Sequence, residues 1–397
     1  MNDSHLAHRF RLACIDREVR HDWSVDTESV TWERDEHTKA KHDLLLSFFN
    51  KWVSIHSESF AGRGGGLVRI YDGFAGPGVY VGGESGSPLI LLRALCTNPR
   101  LGKRWASVDY ELHFVEKHAA RAAMLREKLE AFEIAMRDGP GWSTRVSWAV
   151  TCGSYEEHVP QPVASKNSAL FLFLDPFGYS HAPMTLTRDL VQQPKSDTLI
   201  FLPLSFVNRF AGRDGQERAL DRFFGTTAWA NVPDGPGRPA ALLELFQAQL
   251  RAAGLEWVLP FRLKPDSNNE YWLVGGSSHL KGFATIKEAY WAVDKVNGQG
   301  FAAPRGVSSG QGAFIFEDID SQEPNTAPLL TLLRERFGHE SFTVEDAIEL
   351  TERSRFLDRH LKQRTLAPAE SSGALEVVRP TGARRFKEGK GILLRFT

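Results

Sequence analysis

Four stretches of this 397-residue chain carry residue types and spacings that could do chemistry. The first is Arg69–Gly78, built on Asp72-x-Phe74-x-Gly76-x-Gly78. The apolar run Leu67–Tyr71 reads as a buried strand ending at Asp72. Glycines directly after a strand let backbone N–H groups approach a ligand closely. The second is Glu116, which ends the apolar run Leu112–Val115. Its two oxygens could each accept one O–H of a ribose; the alternative is a surface acid capping a helix over Ala119–Phe132. The third is Asp175-Pro176-Phe177-Gly178, which closes the uninterrupted apolar run Ala169–Leu174. Such a run predicts a central strand buried on both faces. A carboxylate at its C-terminal end lies where open α/β sheets bind ligands; otherwise it is a turn acid. The fourth is Lys41-His42, early in an amphipathic helix over His37–His56, where helix electrostatics do not favour cations. They either lie on a solvated face or point at an anionic group of a ligand.

The elements that must position these residues alternate between strand and helix. After the glycine turn, Ser87 as N-cap and Pro88 at the first helical position open a helix through Ala94. Thr97–Asp109 reads as an insertion before the second strand. Val146–Val150 is a third strand, followed by the polar residues Ser154 and Glu156. Thr198–Leu202 is a fifth strand, and Phe206, Asn208, Arg209 and Phe210 follow on an expected loop beside a substrate cleft. Helices are expected over Gln216–Phe224, Pro239–Ala253 and Thr285–Val293. Glu256–Leu263 and Tyr271–Gly275 read as an antiparallel pair. This alternation predicts an α/β sheet with helices on its faces. Ala302–Ala313, rich in glycine, serine and proline, reads as a linker. Residues 1–36 read as an arm, 37–310 as the main domain and 326–397 as a small separate domain.

In the small domain, helices are expected over Leu329–Phe337, Val344–Leu350 and Phe356–Thr365, and strands over Leu375–Arg379 and Ile392–Phe396. That order resembles a winged helix. From Arg353 onward, eleven basic side chains face four acids. A basic third helix and a wing carrying Arg384 and Arg385 suit phosphate contacts; a winged helix can also serve only as a protein–protein module.

Composition narrows the class. Hydrophobic residues make up 42% and charged residues 24%, as in globular proteins. The formal net charge of −1 confines any nucleic-acid binding to local charge asymmetry. Met1–Arg11 is polar and no apolar run could span a bilayer, so neither signal peptide nor membrane anchor is expected. Cys14, Cys96 and Cys152 are scattered, without metal-ligand spacing, and fit a reduced cytoplasmic protein.

The glycine stretch resembles the first motif of class I S-adenosylmethionine (SAM) methyltransferases. A nicotinamide loop is disfavoured because the third glycine of that fingerprint is replaced by Val81. With Lys41-His42, Tyr71–Gly78, Gly86-Ser87-Pro88, Phe114–Lys117, Leu174–Gly178 and the helix through Lys287–Trp291, residues 35–300 resemble the three-Cys-motif partner (TcmP) family, named for a motif in its partner protein. The resemblance implies a Rossmann-like seven-stranded sheet whose last two strands form the Glu256–Gly275 hairpin. It implies SAM as cofactor, held by Asp72, Phe74, Ala75, Gly76, Gly78 and Glu116, with Ser154, or else Glu156, edging the adenine. Asp175, Pro176 and Phe177 would form the catalytic motif of an enzyme that methylates an amine of a DNA or RNA base. Lys41, His42, Phe206, Asn208, Arg384 and Arg385 would bind substrate. The amine-methylating pattern has a second proline before its aromatic residue, whereas Phe177 directly follows Pro176 here. The alternatives are a small-molecule or partner-protein substrate, and a catalytically silent SAM- or nucleic-acid-binding module.

Overall fold

The computed structural model describes Thr31, residues 36–101, 107–137, 142–159, 165–264 without 177, 194, 212 and 214, 271–302 and 323–397. The 1–36 arm, apart from Thr31 and Glu36, the linker from 303 onward and Phe177 lie outside the described residues.

A long helix α1 (Glu36–Ala61) leads into β1 (Gly66–Asp72), α2 (Ser87–Thr97), β2 (Val108–Glu116), α3 (Ala119–Arg137), β3 (Val146–Cys152) and β4 (Ser168–Leu174). There follow α4 (Met184–Val191), β5 (Ser196–Leu202), α5 (Leu204–Phe210), α6 (Glu217–Phe224), α7 (Arg238–Ala252), β6 (Trp257–Lys264), β7 (Tyr271–Ser277), α8 (Leu280–Val293) and β8 (Gly300–Ala302). The sheet order is β3-β2-β1-β4-β5-β7-β6-β8. The first five strands of that order run parallel, and β7 is antiparallel to both β5 and β6. This is the Rossmann-like sheet of class I methyltransferase type, with one strand more than the expected seven. The extra strand, β8, pairs parallel to β6 through Gly300, Phe301 and Ala302. Its three residues are too few to show a period, so the sequence reads them as the approach to a linker.

Two layers of helix cover the sheet. Leu44, Phe48, Phe49 and Trp52 of α1 pack with α2, α3 and α8 on Val68, Ile70, Phe171 and Phe173. Helices α4 to α7 pack on Leu170, Leu172, Leu174, Ile200 and Leu202 of the other face. Every residue of β4 is therefore buried, as its uninterrupted apolar run predicts. The strand order reverses between β1 and β4, which opens a crevice at the carboxyl ends of those strands.

The C-terminal residues form α9 (Ala327–Phe337), β9 (Phe342–Thr343), α10 (Val344–Arg353), α11 (Asp358–Leu361), a π turn over Lys362–Leu366, α12 (Ala367–Ser371), β10 (Leu375–Val378) and β11 (Leu393–Phe396). The strands make a separate antiparallel sheet, β10-β11-β9. The expected third helix over Phe356–Thr365 thus begins later and runs on to Ser371. Pro368 has no N–H for the carbonyl four residues back. The wider π turn accommodates it, and Thr326 Oγ1 donates to that Arg364 carbonyl at 2.7 Å.

Candidate active site

Asp72, Glu116 and Asp175 meet at the carboxyl ends of β1, β2 and β4. In register, Asp72 lies opposite Phe114 and Phe173, so Glu116 and Asp175 each stand two residues beyond it on the flanking strands. Asp72 is fully buried. Its oxygens accept from Phe74 N at 3.1 Å and from Ser87 Oγ at 2.7 Å. Burial raises its pKa to about 7, the bonds from Ser87 and Phe74 oppose that rise, and the charges of Asp175 and Glu116 add to it. Asp72 therefore feels the charge of both neighbouring acids.

The glycine loop is tied down from below. Glu116 accepts from Gly76 N at 3.0 Å and from His118 N at 2.7 Å. Gly76 and Gly78 have φ of 64° and 81°, a region that favours glycine. A side chain at Gly78 would also meet Leu125 at 2.7 Å. Phe74 and Tyr71 pack on buried Tyr155, at ring distances of 5.7 and 6.0 Å. Ser87 is not the N-cap the sequence suggests. Gly86 caps α2, and the Ser87 hydroxyl is spent on Asp72 instead. The Gly86-Ser87-Pro88 segment thereby anchors the loop to the start of α2.

Lys41 and His42 are buried, not on a solvated face. Lys41 forms an ion pair with Asp175, and its Nζ lies 4.8 Å from the centroid of the Phe201 ring. The His42 ring lies 5.6 Å from that of Tyr80. Lys41 thus meets a carboxylate of the chain where the sequence suggests an anionic ligand group. Pro176 follows Asp175 into the crevice rim and is buried.

Other expected contacts fall elsewhere. Ser154 forms a capping box with Glu157 and donates to its carboxylate at 2.7 Å, while Glu156 pairs with Arg222. Both adenine-edge candidates are thus engaged within the chain. Phe206 and Asn208 lie on helix α5, not on the expected loop, because Pro203 starts a helix directly after β5. Asn208 Oδ1 is buried without a hydrogen-bond partner among the described residues. Arg384 and Arg385 are exposed on the connection between β10 and β11, in a different sheet from Asp175. Arg385 adopts a φ of 52°, a strained value for a non-glycine residue.

Two features escape sequence reasoning. Phe201 pairs with Leu273, so Tyr271 is its diagonal neighbour on the same sheet face. Their rings lie 5.2 Å apart at 23°, with Phe206 6.3 Å from Tyr271. The second is Lys287, whose Nζ donates to the carbonyls of Thr351, Glu352 and Phe356 at 3.3, 2.9 and 2.8 Å. Trp291 Nε1 donates to Arg355 O at 2.9 Å. Helix α8 thereby holds the end of α10, and the Lys287–Trp291 pattern serves this junction.

Among the described residues, no group of three or more His, Cys, Asp and Glu side chains could hold a metal ion. No described helix is long and apolar enough to cross a membrane.

No family model matches the chain, and no curated protein matches it. Solved structures with a partial likeness include the O-methyltransferase TomG from Streptomyces achromogenes in complex with SAM, at 12% identity and TM-score 0.29, covering 64% of this chain and 93% of that one. An O-methyltransferase from Bacillus cereus with S-adenosylhomocysteine (SAH) shows 12% identity and TM-score 0.30 over 70% and 92% of the two chains. The methyltransferase domain of METTL16 shows 12% identity and TM-score 0.26 over 68% and 97%. Likenesses at this level decide neither fold nor substrate; the strand order carries the fold.

Proposed function

We propose that the chain is a SAM-dependent methyltransferase whose acceptor nucleophile sits between the cofactor and Asp175. The observation that carries this is the convergence of Asp72, Glu116 and Asp175 around a glycine-bearing loop. Three carboxylates, only Asp175 of them paired with Lys41, suit a ligand bearing a sulfonium and an ammonium. The same acids would repel the pyrophosphate of a nicotinamide cofactor.

When bound, SAM supplies an activated methyl group on a good leaving group. Phe74, Ala75, Gly76 and Gly78 would line its methionine portion. Glu116 keeps lone pairs beyond its two backbone bonds for the ribose hydroxyls. Asp72 acts chiefly by shaping the loop, and Ser154 lies on the rim after β3. The protein's work is mainly positioning and exclusion of water. In the first reading, the acceptor is an amine of a nucleic-acid base. Asp175 and the Pro176 carbonyl accept its N–H groups, which aims the lone pair and favours positive charge developing on nitrogen. Phe177 would stack on the base.

The Lys41–Asp175 pair favours a second reading, a small-molecule acceptor. A carboxylate already neutralised by an ammonium pulls less on a developing cation, whereas Lys41 would stabilise an anionic oxygen nucleophile. Asp175→Ala should abolish transfer to an amine, and Lys41→Met should hurt an oxygen acceptor more. A partner protein as the methyl acceptor is a further possibility within the same chemistry.

The β10-β11-β9 sheet with α10 and α11 between its strands supports a winged-helix-like module. Its helix cations Lys362 and Arg364 are paired with Glu388 and Glu323. Arg384, Arg385, Lys387 and Lys390 are exposed and make no ion pair among the described residues, so the wing carries the nucleic-acid reading. A protein partner of the three-Cys-motif type belongs to this proposal on the resemblance alone, and a cytoplasmic setting on the scattered cysteines. A silent scaffold is disfavoured by the intact acid set.

Calorimetry with SAH and with NAD tests the cofactor; binding of NAD alone would reverse it. Incubation with tritiated SAM and separate pools of DNA, RNA, protein and metabolites tests the acceptor. Turnover unchanged in Asp175→Ala would remove Asp175 from the mechanism.

A further inference from the structure

We propose that Arg209 and Arg213 form a phosphate clamp on the lip of the crevice, and that the methyl acceptor carries a phosphoryl group. The proposal rests on the methyltransferase reading above and names the acceptor class of that site.

The sequence repeats a four-residue unit here, Phe206-Val207-Asn208-Arg209 and Phe210-Ala211-Gly212-Arg213. Phe206 and Phe210 stand one turn apart on α5 and so share a face. Each ring lies under the guanidinium three residues ahead of it. Arg209 is 5.4 Å from the Phe206 centroid and Arg213 is 5.2 Å from that of Phe210. A ring occupies the face of a guanidinium and leaves its in-plane N–H donors for an anion. Both arginines are exposed. Among the described residues, neither side chain makes an ion pair or a hydrogen bond. Neighbouring cations are engaged instead: Arg222 of α6 pairs with Glu156, and Arg238 of α7 pairs with Asp234. Arg238 also donates to Ala211 O at 2.8 Å. That bond serves the carboxyl end of α5, so the helix end does not account for two further cations.

Helix α5 borders the acids. Leu174 lies opposite Ile200, which sets Asp175 beside Phe201 at the carboxyl edge of the sheet. Helix α5 starts directly after that edge, at Leu204. On one side, Phe206 packs on Tyr271, Tyr271 on Phe201, and Phe201 on the Lys41 that pairs with Asp175. On the other, the Phe210 ring lies 6.0 Å from that of Tyr179, and Tyr179 Oη donates to Gln216 at 2.7 Å. Tyr179 itself closely follows Asp175-Pro176 in the chain.

The crevice is acidic at its floor and basic at its lip. The acids suit a cationic cofactor, and the two arginines suit an anion on the acceptor. A terminal phosphate has enough charge and acceptor oxygens to meet both guanidiniums together, whereas a carboxylate is matched by a single fork. In a nucleic-acid strand, two successive phosphates would take one arginine each.

The test uses the full chain, and calorimetry with SAH comes first. Absence of SAH binding overturns the methyltransferase reading itself and is seen before any acceptor is added. The SAH-loaded protein is then titrated with mixed ribonucleoside monophosphates and with mixed-sequence single-stranded DNA and RNA of about 12 nucleotides. At least one of these probes should bind. Replacing Arg209 and Arg213 together by Gln should weaken it at least about tenfold, with SAH affinity held within about twofold. Phenylglyoxal labelling of the wild type, mapped by mass spectrometry, localises the contact, because a bound probe should shield both arginines whether or not the wing also holds nucleic acid. A strand that binds at least about tenfold more tightly than the monophosphates, with a salt slope that falls by about 1.4 in the double variant, identifies a strand as the source of the phosphate. Binding of the two alike identifies a free nucleotide. Three results overturn the clamp while SAH still binds. They are no binding of any of these probes at concentrations on the order of 10 mM, unchanged affinity in the double variant, and labelling of Arg209 and Arg213 that a bound probe does not slow.

Discussion

Replacing Asp72 by Asn should remove a pH-dependent penalty from the fold. Asp72 is fully buried, and its pKa is raised from 3.8 to about 7, mainly by burial and further by Asp175 and Glu116. Between those values the folded protein holds a proton that the unfolded chain has released. Its contribution therefore stabilises at low pH and is lost as pH rises toward 7. The full displacement is worth about 4 kcal/mol at 1.36 kcal/mol per unit. Of this, roughly 2.5 kcal/mol should be lost between about pH 5 and pH 8. Asp72→Asn keeps the side-chain shape and an acceptor for Phe74 N, but cannot ionise. Urea unfolding of both proteins, followed by tryptophan fluorescence across that range, isolates the effect in their difference. The wild type should lose roughly 2.5 kcal/mol relative to the variant from the acid to the alkaline end. A difference constant to within about 1 kcal/mol across the range would refute the assignment. The same chemistry couples to ligand: a cationic cofactor favours ionised Asp72, so SAH with its ammonium should release protons on binding near pH 6. Calorimetry in buffers of different ionisation enthalpy reads that release.

Glu116→Ala should raise the SAH dissociation constant at least about tenfold, because it frees the amides of Gly76 and His118 and removes the ribose acceptor; an unchanged constant by calorimetry would deny both roles. Lys287→Met should leave three carbonyls at the end of α10 without their shared donor, costing about 3 kcal/mol. Limited proteolysis should then release the C-terminal region faster while SAH affinity holds; equal protection would show that Trp291 suffices. Replacing Arg384 and Arg385 together by Glu should lower DNA or RNA affinity and reduce the salt slope by about two, measured by anisotropy at several salt concentrations; an unchanged slope would clear the wing of phosphate contacts.

Local chemistry was legible wherever neighbouring residues in the chain settle it. An unbroken apolar run such as Ala169–Leu174 needs both faces covered, so it announced a central strand, and the acid after it fell at the sheet's carboxyl edge. Asp72 and Glu116 followed from the same logic, as did the glycine turn. Amphipathic spacing in α1 foretold which side of that helix is buried. What tertiary structure alone decided were pairings between distant segments, because no local period encodes them. Lys41 looked free to meet a ligand until α1 brought it 134 residues along the chain to Asp175. Ser87 looked like a cap until it reached Asp72. Phe201 and Tyr271 became one wall only through the register of β5 on β7. The basic count of the C-terminal region said little about which cations are available, since Glu388 and Glu323 pair with Lys362 and Arg364 while Arg359 and the wing cations stay exposed. Composition and periodicity thus determine which residues must be buried or stand at a strand's end. Which partner each then meets depends on chain packing, because contact energies between distant residues are realised only when the sheet has closed around them.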